Sequence, residues 1–179
     1  MPAEPEHLSS ETLLTTSRFS VVRQEIRLAN GQLHARETIQ HNGAVVILPW
    51  FADQRIVLLR NYRIAIGQTL WELPAGTREP NEEPQATAAR ELEEETGYRA
   101  ERFEPLGEFW MSPGILNERM FLYVAQGLRQ GTMALEAGEL LEPEILTWNE
   151  TLDILDRGEI QDAKTIAALC LWERRLRAK

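Results

Sequence analysis

"GTREPNEEPQATAARELEEETGY", residues Gly76 to Tyr98, is the stretch from which the fold can be worked out. Asn81 has the side chain of a helix N-cap, and Pro84 falls in the first turn, where a missing N–H costs nothing. Gly97 suits the C-terminal end of a helix, because glycine readily adopts the left-handed conformation found there. The stretch therefore predicts a helix over about Glu82 to Thr96.

The predicted helix has a packing arc beside an anionic arc. Successive residues of a helix are rotated by about 100°. The packing arc then consists of Ala88, Ala89, Leu92 and Thr96, and the adjoining anionic arc consists of Glu91, Glu94 and Glu95. Like charges at i,i+4 cost only a few tenths of a kcal/mol on an open surface. A solvated helix face is therefore one interpretation of the glutamates.

The spacing of residues around the helix favours a second interpretation. From Gly76 to Tyr98 the sequence fits the pattern G-x5-E-x7-R-E-L-x-E-E-x-G-Y. This pattern resembles the Nudix box, the signature of hydrolases that act on a nucleoside diphosphate linked to another group. Tyr98 stands where that family usually has an aliphatic residue, and this departure concerns local packing only.

The resemblance extends beyond the box. "TLWELPAG" before it, and "SPGILNE" and "GEIQDAKTIAALCLW" after it, look like the ADP-ribose pyrophosphatase and nucleoside diphosphate sugar hydrolase branch of the superfamily. The resemblance implies an α/β (α+β) fold, the Nudix α/β/α sandwich with a mixed sheet, preceded by a small antiparallel β subdomain. We expect that subdomain over residues 1–42 and the Nudix hydrolase domain over residues 43–179.

The same resemblance assigns the anionic arc to metal binding. Hard divalent cations prefer oxygen ligands, and Mg2+ is held by a few carboxylates together with substrate phosphates and water. The implied cofactor is Mg2+, with Mn2+ as a possible substitute. The resemblance implies that Arg90 orients carboxylates in the catalytic site with Glu82 as its partner. Glu93 points away from the anionic arc, so we expect it to face solvent. The implied metal ligands are Glu91, Glu94, Glu95 and the backbone carbonyl of Ala75.

Two arginines in "LLRNYRIAIG" are candidates for binding substrate. In the resembling enzymes the arginine that matches Arg63 reaches the diphosphate, and the planar fork of arginine suits phosphate better than lysine does. For both Arg60 and Arg63, the alternative is an arginine at a strand end that binds no ligand. Trp71 and Tyr62 could stack on a base or ribose, although an aromatic residue beside a strand more often packs in the core.

The catalytic base is expected outside the box helix, because a bound cation makes a carboxylate a poor proton acceptor. In the resembling enzymes a glutamate on the "SPG" loop activates water, and Glu118 in "WMSPGILNERMF" occupies that loop. The alternative is a solvated glutamate, unpaired or paired with Arg119. Three further glutamates remain candidates for the base: Glu108, Glu139 and Glu142.

Charge and composition limit the partners of the chain. The 179 residues carry a formal charge of −9 with a pI near 4.9, which argues against binding a nucleic-acid backbone through a broad basic surface. The apolar stretch "AVVILPWFA" is too short to span a membrane, and "MPAEPEHLSS" lacks the features of a signal peptide. We therefore expect a cytoplasmic protein. The single cysteine, Cys170, excludes an internal disulfide and is expected to be buried.

We also expect a homodimer. The segment before about His41 contains short alternating strands, which need extra pairing to be stable, and the resembling enzymes exchange this segment between subunits.

The expected function is Mg2+-dependent hydrolysis of the diphosphate bridge of ADP-ribose or a related nucleoside diphosphate sugar, which gives a nucleoside monophosphate and a sugar phosphate. Hydrolysis of GDP-mannose is the alternative within the same enzyme class. A Nudix domain that senses a ligand without hydrolysing it is the alternative from another class.

Overall fold

The computed structural model describes residues 3–178, so the outermost ends of the two predicted domains lie outside the described residues. The chain divides into two compact units. The first contains residues up to Gly43 and the segment Trp110–Arg119, and the second contains Ala44–Phe109 and the chain from Met120 onward. The first unit is therefore built from two separate pieces of the sequence.

The first unit contains an antiparallel sheet of three strands, β1 (Glu6–Thr15), β2 (Ser20–Arg27) and β3 (Leu33–Gln40), in the order β1-β2-β3. The predicted antiparallel β structure at the N-terminal side is confirmed, and the turn between β2 and β3 contains Gly31 with φ +82°. β1 was not predicted as a strand, because its sequence is largely polar and all ten of its residues are exposed. Its pairing with β2 is interrupted by two shifts of register.

The segment Trp110–Arg119 is tied to the end of β3 by backbone hydrogen bonds. The Ile39 amide donates to the Ile115 carbonyl over 2.8 Å, and the Asn117 amide donates to the Ile39 carbonyl over 3.1 Å. The Asn117 side chain also accepts a 2.7 Å bond from the His41 amide. The loop that carries Glu118 therefore has a defined position in the first unit.

The remaining elements alternate between strands and helices without regular repetition and belong to the second unit, apart from two terminal residues, Trp110 and Arg119. Their bounds are β4 (Ala44–Pro49), β5 (Arg55–Arg63), β6 (Gln68–Glu72), β7 (Ala75–Thr77), α1 (Pro84–Thr96), β8 (Tyr98–Arg99), β9 (Arg102–Trp110), β10 (Arg119–Gln126), β11 (Arg129–Gln130), β12 (Leu141–Thr147), α2 (Trp148–Asp156) and α3 (Ala163–Arg177). The predicted fold class, a mixed α/β fold with an antiparallel N-terminal sheet, is confirmed.

The central sheet of the second unit has the order β7-β4-β10-β9. β4 runs parallel to β10 and antiparallel to β7, so the sheet is mixed. The helix α1 packs on this sheet through a buried cluster of Val45, Ile47, Ala88, Leu92 and Ala125. Burial of such side chains contributes about 1.5–3 kcal/mol for each large one. The sheet thus fixes the orientation of α1 and of its glutamates.

A second sheet, with the order β12-β5-β6, is antiparallel throughout. α3 contacts β4, and Trp172 on α3 packs edge-to-face against Trp50 with ring centroids 5.3 Å apart. None of the helices within residues 3–178 combines the length and apolar character needed to cross a membrane.

The start of α1 corrects the sequence prediction. The helix begins at Pro84 with Glu83 as the N-cap, and not at Glu82 with Asn81 as the cap. Because proline disfavours helical geometry in the residue before it, Glu83 is extended (φ −68°, ψ 135°) and no helix can continue through it toward Glu82. Asn81 instead adopts a left-handed turn with φ +64°. The predicted end is confirmed, since Gly97 is the C-cap with φ +70°.

Two burial predictions were wrong. Ala89 is exposed, because the buried face of α1 is centred between Ala88 and Glu95 and extends toward the glutamates. Cys170 is also exposed. It follows the buried Leu169 by about 100° of helix rotation, which takes it off the packed face of α3.

Candidate active site

Two glutamates of α1 are buried against the short strand β7. The side chain of Glu95 is only 4% exposed, and its Oε2 accepts a 2.8 Å hydrogen bond from the Ala75 amide. Glu91 is 7% exposed and lies against Gly76 so closely that a Cβ at Gly76 would overlap its carboxylate. A side chain at the glycine that opens the box would therefore displace the Glu91 carboxylate.

Burial perturbs the proton affinity of both carboxyl groups. Removal from water raises the pKa of Glu91 to about 7, against the opposing effect of the Arg90 charge. Removal from water also raises the pKa of Glu95 to about 8, although the Ala75 amide favours its charged form. The negative charge of Glu139 raises both pKa values further. Near neutral pH the protein alone does not favour two full charges at this position.

Arg90 lies among the carboxylates of the box. Its Nη1 is 2.8 Å from Glu91 Oε1 and 2.9 Å from Glu94 Oε2, and its Nε is 3.4 Å from Glu82 Oε1. Partial burial alone would lower the pKa of Arg90, but the hydrogen bonds that Arg90 donates to Glu82 and Glu94, together with the charge of Glu91, raise it above its usual value. Arg90 is thus a permanent cation that contacts three carboxylates.

Glu93 points to the other side of the helix, where its Oε1 lies 2.7 Å from Arg99 Nη2. The hydrogen bond from Arg99 lowers the pKa of Glu93, so this carboxylate stays charged without contacting the buried pair. Glu93 therefore has a partner of its own, separate from the carboxylates that contact Arg90.

Arg63 forms an ion pair with a different buried glutamate, Glu72. Its Nε and Nη2 donate to the two carboxylate oxygens of Glu72 over 2.7 and 2.5 Å, and the Glu72 side chain is 1% exposed. Lys164 donates to Glu72 Oε2 over 2.7 Å. Burial raises the pKa of Glu72, but the two cations outweigh it and leave this pKa below its usual value. Neither Glu72 nor Lys164 was predicted from the sequence.

The other predicted substrate residues lie on the sheet of β12, β5 and β6. The Arg60 guanidinium stacks over the Trp71 ring at 4.5 Å from the ring centroid, and Tyr62 is exposed. A cavity of about 630 Å³ opens beside Arg60. Its lining residues combine one cation with three carboxylates and short polar or apolar side chains: Arg60, Thr69, Glu139, Leu140, Leu141, Glu142 and Glu144.

Glu118 lies in the first unit, where its Oε1 is 3.6 Å from Nδ1 of His41. That nitrogen accepts a 3.1 Å hydrogen bond from the Gly43 amide, which requires Nδ1 to be without a proton. The contact between Glu118 and His41 is therefore not a hydrogen bond. The glutamates of α1 belong to the second unit.

The model of the NUDIX domain family matches residues 40–169. The match includes the whole box and both buried glutamates. The chain belongs to the Nudix family. The resemblance inferred from the sequence is thereby confirmed.

Individual relatives of this Nudix protein extend the match over nearly the whole chain. A protein named methanol dehydrogenase activator, from Bacillus methanolicus, is 35% identical over 168 residues, which cover 93% of this chain and 91% of that protein. A protein named ADP-ribose pyrophosphatase, from Bacillus subtilis (strain 168), is 32% identical with the same coverage of both chains. The crystal structure of an ADP compounds hydrolase superposes with a TM-score of 0.88 at 26% identity, over 99% of this chain and 97% of that one. The predicted class of enzyme, a Nudix pyrophosphohydrolase, is confirmed.

Nudix hydrolases generally use a divalent metal ion, and the donor chemistry of α1 fits one. Glu91 and Glu95 are hard oxygen donors whose burial disfavours their charge, and a nearby cation would offset that cost. Within residues 3–178 no three acidic, histidine or cysteine side chains converge on one point, since Glu94 and Glu91 both turn to Arg90. The residue types fit the metal, and their present contacts are with Arg90.

A sequence signal for Glu72 does exist in hindsight. Glu72 stands between Trp71 and Leu73 in a strand that is otherwise apolar at its end, and a charged residue in such a place needs a partner. Lys164 is 92 residues further along, so only the tertiary structure identifies it as that partner.

Proposed function

We propose that this Nudix enzyme hydrolyses the diphosphate bridge of ADP-ribose or a closely related nucleoside diphosphate sugar with the help of Mg2+. The proposal rests on the pair of buried glutamates in a chain of the Nudix family. Glu91 packs against Gly76, and Glu95 accepts a hydrogen bond from the Ala75 amide. The names of the Bacillus subtilis relative and of the superposed crystal structure support an adenosine diphosphate compound as substrate.

The metal ligands would be Glu91, Glu94 and Glu95 with the carbonyl of Ala75. Bound Mg2+, or Mn2+ in its place, supplies positive charge that polarises phosphoryl oxygens and lowers the pKa of a water molecule. Arg90 holds Glu91 and Glu94 on the same side of α1 through its Nη1. The Ala75 amide fixes one oxygen of Glu95, which leaves Glu95 Oε1 to face the ligand.

The substrate diphosphate would be bound by Arg63. Its fork to Glu72 uses Nε and one Nη2 hydrogen, and its side chain is 41% exposed, so the remaining N–H groups are available to phosphate oxygens. Arg60 and Trp71 form a stacked cationic and aromatic surface beside the 630 Å³ cavity. We assign the base or ribose of the nucleotide to this surface, with the exposed Tyr62 at its side.

The catalytic base is proposed at Glu118, with Glu139 as the alternative. Glu118 stands on a loop fixed by its hydrogen bonds to β3, a rigid setting that suits a catalytic group. Glu139 is favoured by a different observation, since its charge acts on both Glu91 and Glu95 within the second unit. The two assignments predict different kinetic behaviour.

Parallel substitution separates the two candidates. A positioned general base contributes about 10²–10⁴-fold to the rate. If Glu118 is the base, Glu118→Gln lowers kcat by this range with little change in the Kd for substrate or Mg2+, and Glu139→Gln has a small effect. The reverse result assigns the base to Glu139. Near-normal kcat in both variants across the pH range would reject both.

The protein is also proposed to be a homodimer that associates through its N-terminal sheet. Several leucines of this sheet are exposed, among them Leu14 at 52% and Leu33 at 69%. Light scattering at micromolar concentration should give twice the mass of the chain, and Leu14→Glu or Leu33→Glu should reduce it to the mass of one chain. A monomeric wild-type protein contradicts this proposal.

The substrate is tested with a panel of nucleoside diphosphate sugars. Phosphatase added to the assay releases phosphate from the products but not from the intact substrates. ADP-ribose should give the fastest release, and fastest release from GDP-mannose would support the alternative enzyme activity. No release from any member of the panel would favour a sensor that binds without hydrolysis.

A further inference from the structure

Lys164, at the start of α3, shares a buried carboxylate with Arg63. Oε2 of Glu72 accepts hydrogen bonds from Arg63 Nη2 at 2.5 Å and from Lys164 Nζ at 2.7 Å. The Glu72 side chain is 1% exposed and that of Lys164 is 11% exposed, whereas Arg63 is 41% exposed. The carboxylate therefore connects an inner cation to an outer one.

Lys164 is itself held in place by the helix terminus. Its Nζ lies 2.8 Å from Asp162 Oδ1, and the other oxygen of Asp162 caps α3 by accepting from the Thr165 amide at 3.0 Å. The Thr165 hydroxyl in turn accepts a 2.8 Å bond from the Leu73 amide. The end of β6 and the start of α3 are thus joined at Glu72 and at the residue that follows it, Leu73.

A single cation does not hold the Glu72 carboxylate in one orientation, so a second cation is needed. The last torsion of a glutamate side chain is soft, and an arginine paired with it can swing together with the carboxylate. An exposed arginine also has about 2 kcal/mol of side-chain entropy that favours such motion. Lys164 binds the carboxylate from the buried side and is anchored to Asp162, so it removes this freedom.

We propose that Lys164 is a positioning residue for substrate binding: it holds the carboxylate of Glu72 so that the guanidinium of Arg63 presents its outer N–H groups to the diphosphate in one orientation. This inference rests on the proposed role of Arg63 in diphosphate binding. Lys164 does not contact the substrate, and its effect passes through Glu72 to Arg63.

A purely structural role for Lys164 predicts a different result. Lys164 would then only attach α3 to β6, and its loss would lower stability without a selective effect on substrate affinity. Arg175 provides a matched control, because this cation on the same helix binds Glu104 at 2.9 Å and has no contact with Arg63. Arg175→Met removes an ion pair of α3 while leaving the Glu72 network intact.

The experiment compares Lys164→Met, Arg63→Ala, the double variant and Arg175→Met. Methionine keeps the length of the side chain and removes the charge. Lys164→Met should raise KM for ADP-ribose by roughly tenfold or more, with a smaller change in kcat, since a misplaced binding group far from the reacting atoms can cost up to about 10²-fold. Arg175→Met should leave KM within about twofold of the wild-type value, because distant sites act independently.

The double variant decides whether the effect passes through Arg63. If it does, Lys164→Met adds little to the KM of Arg63→Ala, and the two substitutions are strongly non-additive. Additive effects, or a KM for Lys164→Met like that of Arg175→Met, overturn the inference.

Should Lys164→Met fail to fold, Asp162→Asn is the second variant. Asparagine also caps helices, so this substitution removes the anchor of Lys164 and retains the helix cap. Asp162→Asn should also raise KM for ADP-ribose, and an unchanged KM overturns the inference.

Binding of ADP, measured by calorimetry, separates this inference from the proposed function. If the wild-type enzyme hydrolyses the panel and Lys164→Met binds ADP as well as the wild type, the inference is wrong and the function stands. If no substrate is hydrolysed but Lys164→Met weakens ADP binding only when Arg63 is present, the function is wrong and the inference stands. ADP binding that is absent, or that is unaffected by either substitution, overturns the inference in every case.

Discussion

Two groups of buried glutamates in the second unit differ in how their charge is balanced. Glu72 is 1% exposed and Glu95 is 4% exposed, so the free-energy cost of removing a charged carboxylate from water is similar for both. Glu72 contacts two cations and its pKa is lowered, whereas Glu95 accepts one backbone amide and its pKa rises to about 8. Neighbours, and not burial, therefore decide the ionisation state of each.

This difference separates a structural ion pair from the proposed metal-binding site. The cations at Glu72 come from the chain itself, so its charge is satisfied when the protein folds. The charge of Glu91 raises the pKa of Glu95, and the Arg90 cation is divided among three carboxylates. A divalent cation of external origin would stabilise such a pair, which is the property that a metal-dependent enzyme needs.

The largest effect is expected on the binding-site side of the comparison. Glu95→Gln removes a ligand charge while keeping the shape of the side chain, so turnover should fall by roughly 10³-fold or more at saturating Mg2+. Stability without Mg2+ should be equal or higher, because a buried charge is lost. Steady-state kinetics and thermal unfolding measure the two quantities. Glu93→Gln is the matched control on the same helix, and an equal loss of turnover in both variants would contradict the distinction.

At the structural ion pair, Glu72→Gln should lower the free energy of unfolding by about 3–5 kcal/mol, because it leaves Arg63 and Lys164 without their shared carboxylate.

The lowered pKa of Glu72 also determines the pH range over which this stabilisation is present. Glu72 contributes its stability above its unfolded pKa of about 4.3, and this contribution is lost as the pH falls through the lower folded pKa. Urea unfolding at several pH values tests this. The difference between wild type and Glu72→Gln should shrink below about pH 4.3, and a constant difference would show that the charge is unimportant.

A smaller effect is expected where β7 touches the box helix. Gly76→Ala places a Cβ on the Glu91 carboxylate, which must move, and displaced ligand geometry costs about 10–100-fold in metal affinity or activity. Activity as a function of Mg2+ concentration measures the change. Gly107→Ala is the control, since a Cβ there would make an ordinary contact with Leu171 at 3.7 Å. Similar Mg2+ dependence in the two variants would exclude a role for the close approach.

Local sequence signals predicted most of α1 and its C-terminal end. The β-branched run of β4 and the glycine at position 97 act within a few residues, so their structural consequences are fixed locally. The start of α1 was misjudged because the side chain of Asn81 suggested a cap, while the restriction imposed by Pro84 on Glu83 decided the boundary.

Long-range contacts could not be predicted in the same way. The bond between Lys164 and Glu72 spans 92 residues, and the contact between Ile39 and the Glu118 loop spans two sections of the chain. Neither has a local signature, because each depends on how sheets and helices pack. The exposure of Ala89 depends in the same manner on the exact rotation of α1 over its sheet.

The most direct test of the central claim is the thermal unfolding of the wild-type protein and Glu95→Gln with and without Mg2+, in the absence of substrate. At a concentration of 100 times its Kd, a ligand of the folded state stabilises it by about 2.7 kcal/mol, which corresponds to a rise in Tm of roughly 5–10 °C for a chain of this size. The wild-type protein should show this rise, Glu93→Gln should retain it, and Glu95→Gln should lose most of it. An equal rise in Glu95→Gln and the wild type, or no rise in the wild type with either Mg2+ or Mn2+, would contradict the assignment of a divalent cation to the buried glutamates of α1.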